Sequence, residues 1–166
     1  HQYAMLCMQT NDIDTAERIF KKVIELEPNS AQTHKDLGVI YLNKRLFEYA
    51  EDEFNKAIEL EPDDNNIQFE YANFLHAVGN YLKAEKYYKD VVLHDEKNPQ
   101  ILTFAAKNKM ALNDNEAAVS LLEKAIKLAP NDDYALYLCG KANYMIKDYD
   151  CAKRYLIAAY EINKNV

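Results

Sequence analysis

Five alanines recur along the chain at a fixed interval of 34 residues, and they constrain its fold more than any other feature. They are Ala16, Ala50, Ala84, Ala118 and Ala152. Four residues after each alanine comes a large apolar residue: Phe20, Phe54, Tyr88, Leu122 and Leu156. Three residues further on comes a small one: Val23, Ala57, Val91, Ala125 and Ala159. At helical spacing this stripe lets two helices approach closely, so the period predicts a repeat protein built from packed helix pairs.

A second series in the same phase belongs to the first helix of each pair. Its positions are Tyr3, Leu37, Tyr71, Ala105 and Cys139, each followed by a small residue. The pattern is fullest in the second repeat, which reads His34, Leu37-Gly38, Tyr41, Ala50, Phe54 and Pro62. These residues resemble the tetratricopeptide-repeat (TPR) motif, with His34 in the place of its Trp.

The resemblance extends over all 166 residues and implies an all-α fold. That fold is a right-handed α-solenoid of about five helix-turn-helix repeats in a single domain, 1–166. The expected repeats are approximately 1–30, with a truncated first helix, 31–64, 65–98, 99–132 and 133–166.

Capping residues indicate the same helix boundaries independently. Ser30, Asp64, Asn98 and Asp132 are also 34 residues apart, and each can accept a hydrogen bond from the free N–H groups of a following first helix. We expect the same role for the second helices at Asp12, Asn80, Asp114 and Asp148. The residues before three of these caps, Asn11, Gly79 and Asn113, suit a left-handed helix stop. The second repeat departs from this pattern with Arg45-Leu46.

Composition excludes several classes of function. The formal net charge of -7 argues against nucleic acid, which requires a concentrated basic face. No apolar run is long enough to cross a bilayer, so we expect no direct membrane insertion. The chain opens at His1, about four residues into the expected first helix, and we expect a piece of a longer protein. The odd number of cysteines favours a reducing compartment, so we expect a cytoplasmic protein.

The sequence offers little catalytic chemistry. Cys7, Cys139 and Cys151 lack CxxC or CxxH spacing and suit buried small residues better than zinc or redox work. His34 and His94 have no His or Cys at i+3 or i+4 and are interpreted as packing residues. We therefore expect no enzymatic activity, no metal and no cofactor.

The candidate binding site follows from the resemblance, because the first helices of TPR proteins line a concave groove. Transferring that geometry predicts a ligand-binding groove toward the C-terminal end of the chain. Its residues are Phe69, Asn73, Phe104, Lys107, Tyr134, Tyr137, Leu138, Lys141 and Tyr144. Aromatic side chains there provide large contact area at little entropic cost. Tyr137 and Tyr144 are equally compatible with packing between repeats.

Some TPR proteins bind the acidic C-terminal tails of large chaperones, and the residues that such binding requires can be compared with this sequence. That clamp requires Lys and Asn on one first helix, Asn on the next, and Lys or Arg twice on the third. In the register that begins at Lys35, only Lys35 fits, and Glu70 would repel a carboxylate tail. The sequence argues against a chaperone-tail adaptor.

The last repeat is unusually apolar on its second helix. Where four repeats have a polar pair after the bulky residue, the fifth has Ile157-Ala158, with Tyr155 and Tyr160 nearby. A terminal repeat ordinarily needs a polar face. We expect this face to be covered by a further helix or by a second copy of the chain, in a homodimer through the C-terminal repeat. Alternatively, Ile157 is a single exposed residue without consequence.

The function that the sequence predicts is a protein–protein interaction scaffold that binds a partner helix or an extended peptide in the groove. Two alternatives remain open: a regulatory or targeting segment of a larger multidomain enzyme, and a self-assembly module.

Overall fold

The computed structural model describes residues 1–164 as consecutive α-helices, and that part of the chain contains no β-strand. It divides into two compact units. The first, His1–Gly79, contains α1 (Gln2–Gln9), α2 (Ile13–Leu26), α3 (Ala31–Asn43), α4 (Phe47–Leu60) and α5 (Asn65–Ala77). The second begins at Asn80 and contains α6 (Tyr81–His94), α7 (Pro99–Ala111), α8 (Asn115–Leu128), α9 (Asp133–Met145) and α10 (Tyr149–Asn163).

Each helix packs on the next one within its unit. In the first unit α3 also contacts α5, and in the second α7 also contacts α9. The odd-numbered helices are the first members of the helix pairs, so these extra contacts bring consecutive first helices side by side. This arrangement is the helix-turn-helix repeat that the 34-residue period predicts.

The periodic residues form the core, as predicted. All five alanines of the series are buried, and so are Phe20, Phe54, Tyr88 and Leu122. Leu156, the fifth bulky residue, is 37% exposed because α10 is the last described helix and receives no further helix on that side. Tyr3 departs from the series in the same way at the other end of the structure, where α1 leaves it largely exposed.

Two small residues of the first-helix series permit close helix contact. A Cβ added at Gly38 would lie 3.1 Å from the Phe54 ring. A Cβ at Gly140 would lie 2.6 Å from Leu156 Cγ and 3.1 Å from the Ala152 carbonyl oxygen. A Cβ at either place would require the facing Phe54 or Leu156 side chain to shift, so glycine permits the closest approach of the two helices.

The predicted caps are confirmed with one exception. Ser30, Asp64, Asn98 and Asp132 each accept a hydrogen bond from a backbone N–H in the first turn of α3, α5, α7 and α9 respectively. Among the second helices, Asp12, Asn80 and Asp148 do the same. The prediction is wrong for Asp114, whose side chain makes no cap hydrogen bond. Its carboxylate instead accepts a hydrogen bond from Lys109 Nζ at 3.0 Å.

Left-handed residues end five of the helices. Asn11, Gly79 and Asn113 have positive φ angles, as predicted, of 62°, 82° and 61°. Arg45 and Lys147 also have positive φ angles, 58° and 68°, without the Gly or Asn that usually marks this conformation. After each of these two, the next backbone N–H closes onto the preceding helix, as in the 2.9 Å bond from Leu46 N–H to Tyr41 O.

His34 is buried and bonded through both ring nitrogens. Nε2 donates to the Pro28 carbonyl oxygen at 2.9 Å, and Nδ1 pairs with Glu53 of α4. The histidine therefore links α3 to α4 and to the loop before α3 by polar contacts, at the place that a Trp holds in the TPR motif.

Over residues 1–164, no helix is both long enough and apolar enough to cross a membrane.

Candidate protein-binding surface

One face of α9 exposes a row of tyrosines to solvent. Tyr134, Tyr137 and Tyr144 are 40%, 47% and 60% exposed, and Lys141 between them is exposed as well. Their spacing of three, four and three residues places them on one side of the helix. We name these four residues the tyrosine stripe. The opposite side of α9 is buried through Ala135, Cys139 and Ala142 in the core of the second unit.

The tyrosine stripe continues onto α10. The rings of Tyr144 and Tyr149 are 5.6 Å apart with an interplanar angle of 59°. Beyond them a cleft of about 450 Å³ opens, which we name the C-terminal cleft. Its lining is almost entirely apolar or aromatic: Tyr144, Tyr149, Ala152, Lys153, Leu156, Ile157 and Tyr160. Ile157 and Tyr160, predicted as part of an apolar terminal face, both lie in this cleft and are exposed.

Tyr155 and Ala158 lie on a different side of α10 from Ile157 and Tyr160 and are not part of the C-terminal cleft. Tyr155 packs against the core of the second unit, and its hydroxyl donates to Glu123 Oε1 at 3.3 Å. Burial raises the pKa of Tyr155. Ala158 is half-buried and does not line the cleft. The reason is helical geometry, since both positions are rotated away from the side that carries Ile157 and Tyr160.

Helix α7 contacts α9 and contributes two further predicted residues. Phe104 is half-buried, and Lys107 Nζ lies 5.7 Å from the centre of its ring. A cation over an aromatic face is an attractive arrangement. The second unit therefore presents aromatic rings and cationic groups on two neighbouring first helices, Phe104 and Lys107 on α7 and the tyrosine stripe on α9.

Leu138 belongs to the core rather than to the binding surface. It is only 5% exposed and packs in one cluster with Ala106 of α7 and Leu122 of α8. Truncating such a residue typically costs about 2–5 kcal/mol of stability. A Leu138→Ala variant would therefore perturb the fold, and it cannot serve as a probe of binding alone.

Phe69 and Asn73, the remaining predicted residues, lie on α5 in the first unit. Phe69 is buried at 7% exposure, so it offers little contact area to a ligand. Asn73 is half-buried, and its amide donates to Glu70 Oε2 at 3.3 Å.

Around Asn73 the first unit holds a polar cluster whose extent the sequence did not reveal. The buried Lys35 Nζ bonds Asn66 Oδ1 at 3.1 Å and Asp36 Oδ1 at 2.8 Å. Burial raises the pKa values of Asp36 and Glu70, against the opposing effect of the Lys35 ammonium. Lys35 and Asp36, neighbours on α3, thus form an ion pair within the fold. The sequence feature that could have indicated this ion pair is the adjacency of Lys35 and Asp36 in an otherwise regular repeat.

The thiol of Cys139 is a buried core group rather than a reactive nucleophile. Burial raises its pKa to about 12, so it stays protonated near neutral pH. It packs between Ala106 and Leu122 as a small core residue. In the residues that the structure describes, no three His, Cys, Asp or Glu side chains converge as metal ligands.

Comparisons with known proteins agree with this architecture. A family model described as the cytochrome c-type biogenesis protein H TPR domain matches residues 35–136, and a tetratricopeptide repeat model matches residues 4–65. The BBSome complex member BBS4 of Bos taurus is 26% identical over 153 residues, which is 89% of this chain and 28% of that protein. The chain spans about a third of the length of the curated relatives that it matches.

Solved structures show the same fold. PilW, a type IV pilus biogenesis factor, superposes with a TM-score of 0.91 at 16% identity, covering 98% of this chain and 76% of PilW. YrrB, described as a TPR protein with an unusual peptide-binding site, superposes with a TM-score of 0.77 at 19% identity, covering 97% and 83%. The periodic core, the capped helix pairs and the matching family models place this chain in the tetratricopeptide-repeat family, as an all-α solenoid of helix-turn-helix repeats.

Proposed function

We propose that this protein is an interaction scaffold that binds a helix or an extended segment of a partner protein over the tyrosine stripe and the neighbouring face of α7. The observation that supports this most directly is the exposure of Tyr134, Tyr137 and Tyr144 on one side of α9. A row of exposed aromatic side chains on a rigid helix is typical of an interaction surface, because each ring covers large area with few rotatable bonds.

The backbone that presents these rings is firmly held. The opposite side of α9 packs into the core of the second unit, and Asp132 caps the first turn of the helix at Ala135 N–H. A surface that is ordered before binding loses little entropy when a partner docks. Lys141 and Lys107 are positioned to pair with acidic side chains at the edge of such an interface.

The comparisons support the proposal at the level of class. YrrB is described by its peptide-binding site and BBS4 as a member of a complex. Because this chain spans about a third of its curated relatives, a regulatory or targeting role within a larger enzyme remains an alternative proposal.

The test is photo-crosslinking in the source organism with a benzophenone amino acid at Tyr137. Tyr3, which is also an exposed tyrosine but lies on α1, serves as the matched site. We expect one or more proteins to crosslink at Tyr137 and not at Tyr3. The purified partner should then bind Tyr137→Ala at least about tenfold more weakly than the wild type, since central aromatic anchors typically contribute about 2 kcal/mol or more. Equal crosslinking at both sites, or an unchanged affinity, would contradict the proposal.

A second candidate function is self-assembly through the C-terminal cleft. Its support is the exposed apolar lining, in which Ile157 and Tyr160 lie beside Tyr144 and Tyr149. An apolar patch of this kind on a terminal repeat favours association. Measurement of the molar mass across concentration separates this candidate from a monomeric scaffold.

A further inference from the structure

A cleft of about 470 Å³ lies on the second helices of the second unit, on different residues from the tyrosine stripe and the C-terminal cleft. It opens between the C-terminal ends of α6 and α8, beside the loop that joins α6 to α7. Four lysines surround it: Lys89, Lys97, Lys124 and Lys127. We name this opening the lysine cleft.

The four lysines reverse the charge of the chain locally. The protein has 20 basic and 27 acidic side chains, yet Glu96 is the single carboxylate among the residues that line this cleft. Lys97, Lys124 and Lys127 have no ion-pair partner in residues 1–164, and Lys89 has only Glu85, at 3.6 Å. Lysines that line one cleft repel one another, and a bound anion would relieve that repulsion.

The interior of the lysine cleft is apolar. Leu102 is buried at its floor, whereas Leu93 and Leu128 are 80% and 46% exposed, and Val92 lies beside them. Water in contact with these side chains is released when an apolar group enters, which favours binding. The volume is sufficient for a large apolar side chain together with its neighbours.

We propose that the lysine cleft binds a protein segment in which a large apolar residue is flanked by acidic side chains. The apolar side chain enters between Leu93 and Leu128, and the carboxylates pair with the lysine ammonium groups at the rim. A long polyanion such as nucleic acid fits less well, because its charge continues past the cleft onto a chain of net charge -7. A short acidic segment interacts mainly with the local charges, since salt screens the remainder beyond about 8 Å.

The test uses a short fluorescent peptide with a central phenylalanine flanked by glutamates, and fluorescence anisotropy on the whole chain. Lys97→Glu with Lys127→Glu should weaken binding by about tenfold or more, because attractive rim pairs become repulsive. The matched control is Lys22→Glu with Lys86→Glu, which makes the same change in net charge at exposed lysines outside the cleft. That control should retain the affinity of the wild type to within about twofold.

Four further measurements define the recognised chemistry. Replacing the peptide glutamates with glutamine, or its phenylalanine with serine, should each abolish most of the binding. High salt should weaken binding of the original peptide. Tyr137→Ala should leave the peptide affinity unchanged, which separates the lysine cleft from the tyrosine stripe and keeps the two proposals independent.

Several results would overturn the proposal. They are no binding of the peptide, equal loss in both double variants, equal binding of the glutamine peptide, and binding of an oligonucleotide or of phosphatidylserine vesicles in preference to the peptide. A purely structural role is also separable, because Lys127 lies in the last turn of α8, where a cation interacts favourably with the helix dipole. If the lysines act only in this way, Lys97→Glu with Lys127→Glu would lower the thermal midpoint without altering peptide affinity, and the proposal would be overturned.

Discussion

Two carboxylates of the first unit are held where the fold opposes their charge. Asp36 is nearly inaccessible, and Glu70 lies beside it in the polar cluster on α3 and α5. Burial raises the pKa of each, and the two charges repel each other, while Lys35 compensates in part. At the scale of single residues, this cluster has a pH dependence opposite in sign to that of exposed carboxylates such as Asp14 and Asp148, whose pKa values are lowered by their hydrogen-bond partners.

The sign of that dependence follows from linkage. A carboxyl whose folded pKa lies above its unfolded value binds its proton more tightly in the folded state. Its contribution to stability is therefore fully present below the unfolded pKa, about 4.5 for Glu70, and is lost as the pH rises through the folded pKa. The Glu70 charge thus destabilises the folded protein at neutral pH.

We predict that Glu70→Gln raises the thermal midpoint at pH 7. Glutamine is neutral and keeps an oxygen that can accept the hydrogen bond from Asn73. Thermal unfolding followed by circular dichroism from pH 7 to pH 4 should show the gain shrinking as the wild-type carboxyl protonates. Glu59→Gln, at an exposed position of α4, should change little at any pH. A lower midpoint for Glu70→Gln at pH 7 would show that its pairing with Lys35 outweighs burial.

At the scale of helices and their connections, local sequence predicts nearly all of the boundaries. Seven of the eight proposed cap residues accept the expected hydrogen bond, because an Asp, Asn or Ser before a helix has few better partners. Asp114 fails because Lys109, five residues earlier on α7, lies within reach of its carboxylate. That competing partner is only five residues away in the chain, but a cap pattern that considers the helix start alone does not include it.

Residue type likewise predicts only some of the left-handed residues that end the helices. Asn11, Gly79 and Asn113 were predictable from residue type. Arg45 and Lys147 adopt the same left-handed conformation without a residue type that favours it, yet each stands 34 residues from Gly79 or Asn113, so the repeat period indicates what residue type does not. Side chains with a Cβ are strained in that conformation by about 1–2 kcal/mol.

We predict that Lys147→Gly stabilises the protein by about 0.5–1 kcal/mol. Glycine removes the left-handed strain of about 1–2 kcal/mol. It also loses more backbone entropy on folding, which destabilises the folded state by about 0.5–1 kcal/mol and offsets part of the gain. Chemical denaturation measures the difference. Lys86→Gly in the middle of α6 should instead destabilise by about 1 kcal/mol, which shows that glycine itself is not the cause. Destabilisation by both variants would refute the strain argument.

The binding surface was predictable in part, and the residues show why. The period of 3.6 places Tyr134, Tyr137, Lys141 and Tyr144 on one face of α9, and they are exposed there. Leu138 lies at the edge of that face, and only the packing of α7 and α8 decides that it belongs to the core. The lysine cleft joins side chains from α6, α7, α8 and a loop, so neither a repeat motif nor a helical period could bring them together.

At the scale of the whole molecule, the last repeat carries an exposed aromatic and apolar surface. Of the thirteen tyrosines, six fall between Asp133 and Lys164, and all of these except Tyr155 are exposed. The C-terminal cleft concentrates Tyr144, Tyr149, Ile157 and Tyr160 in one place, so Ile157 is not an isolated exposed residue. Burying such a patch against a second copy would release water from both surfaces.

We predict that the chain dimerises reversibly through the C-terminal cleft and that Ile157→Lys with Tyr160→Lys makes it monomeric and more soluble. Two lysines on each facing surface would place four like charges across the interface, at a cost that apolar contacts of this size could not offset. Sedimentation velocity across concentration provides the measurement. Leu26→Lys with Leu82→Lys changes two exposed leucines outside the cleft and should leave the dimer intact. If the wild type is already monomeric at high concentration, self-association fails as a function of this face. The cleft would then be left for a further helix of a longer chain or for a different partner protein.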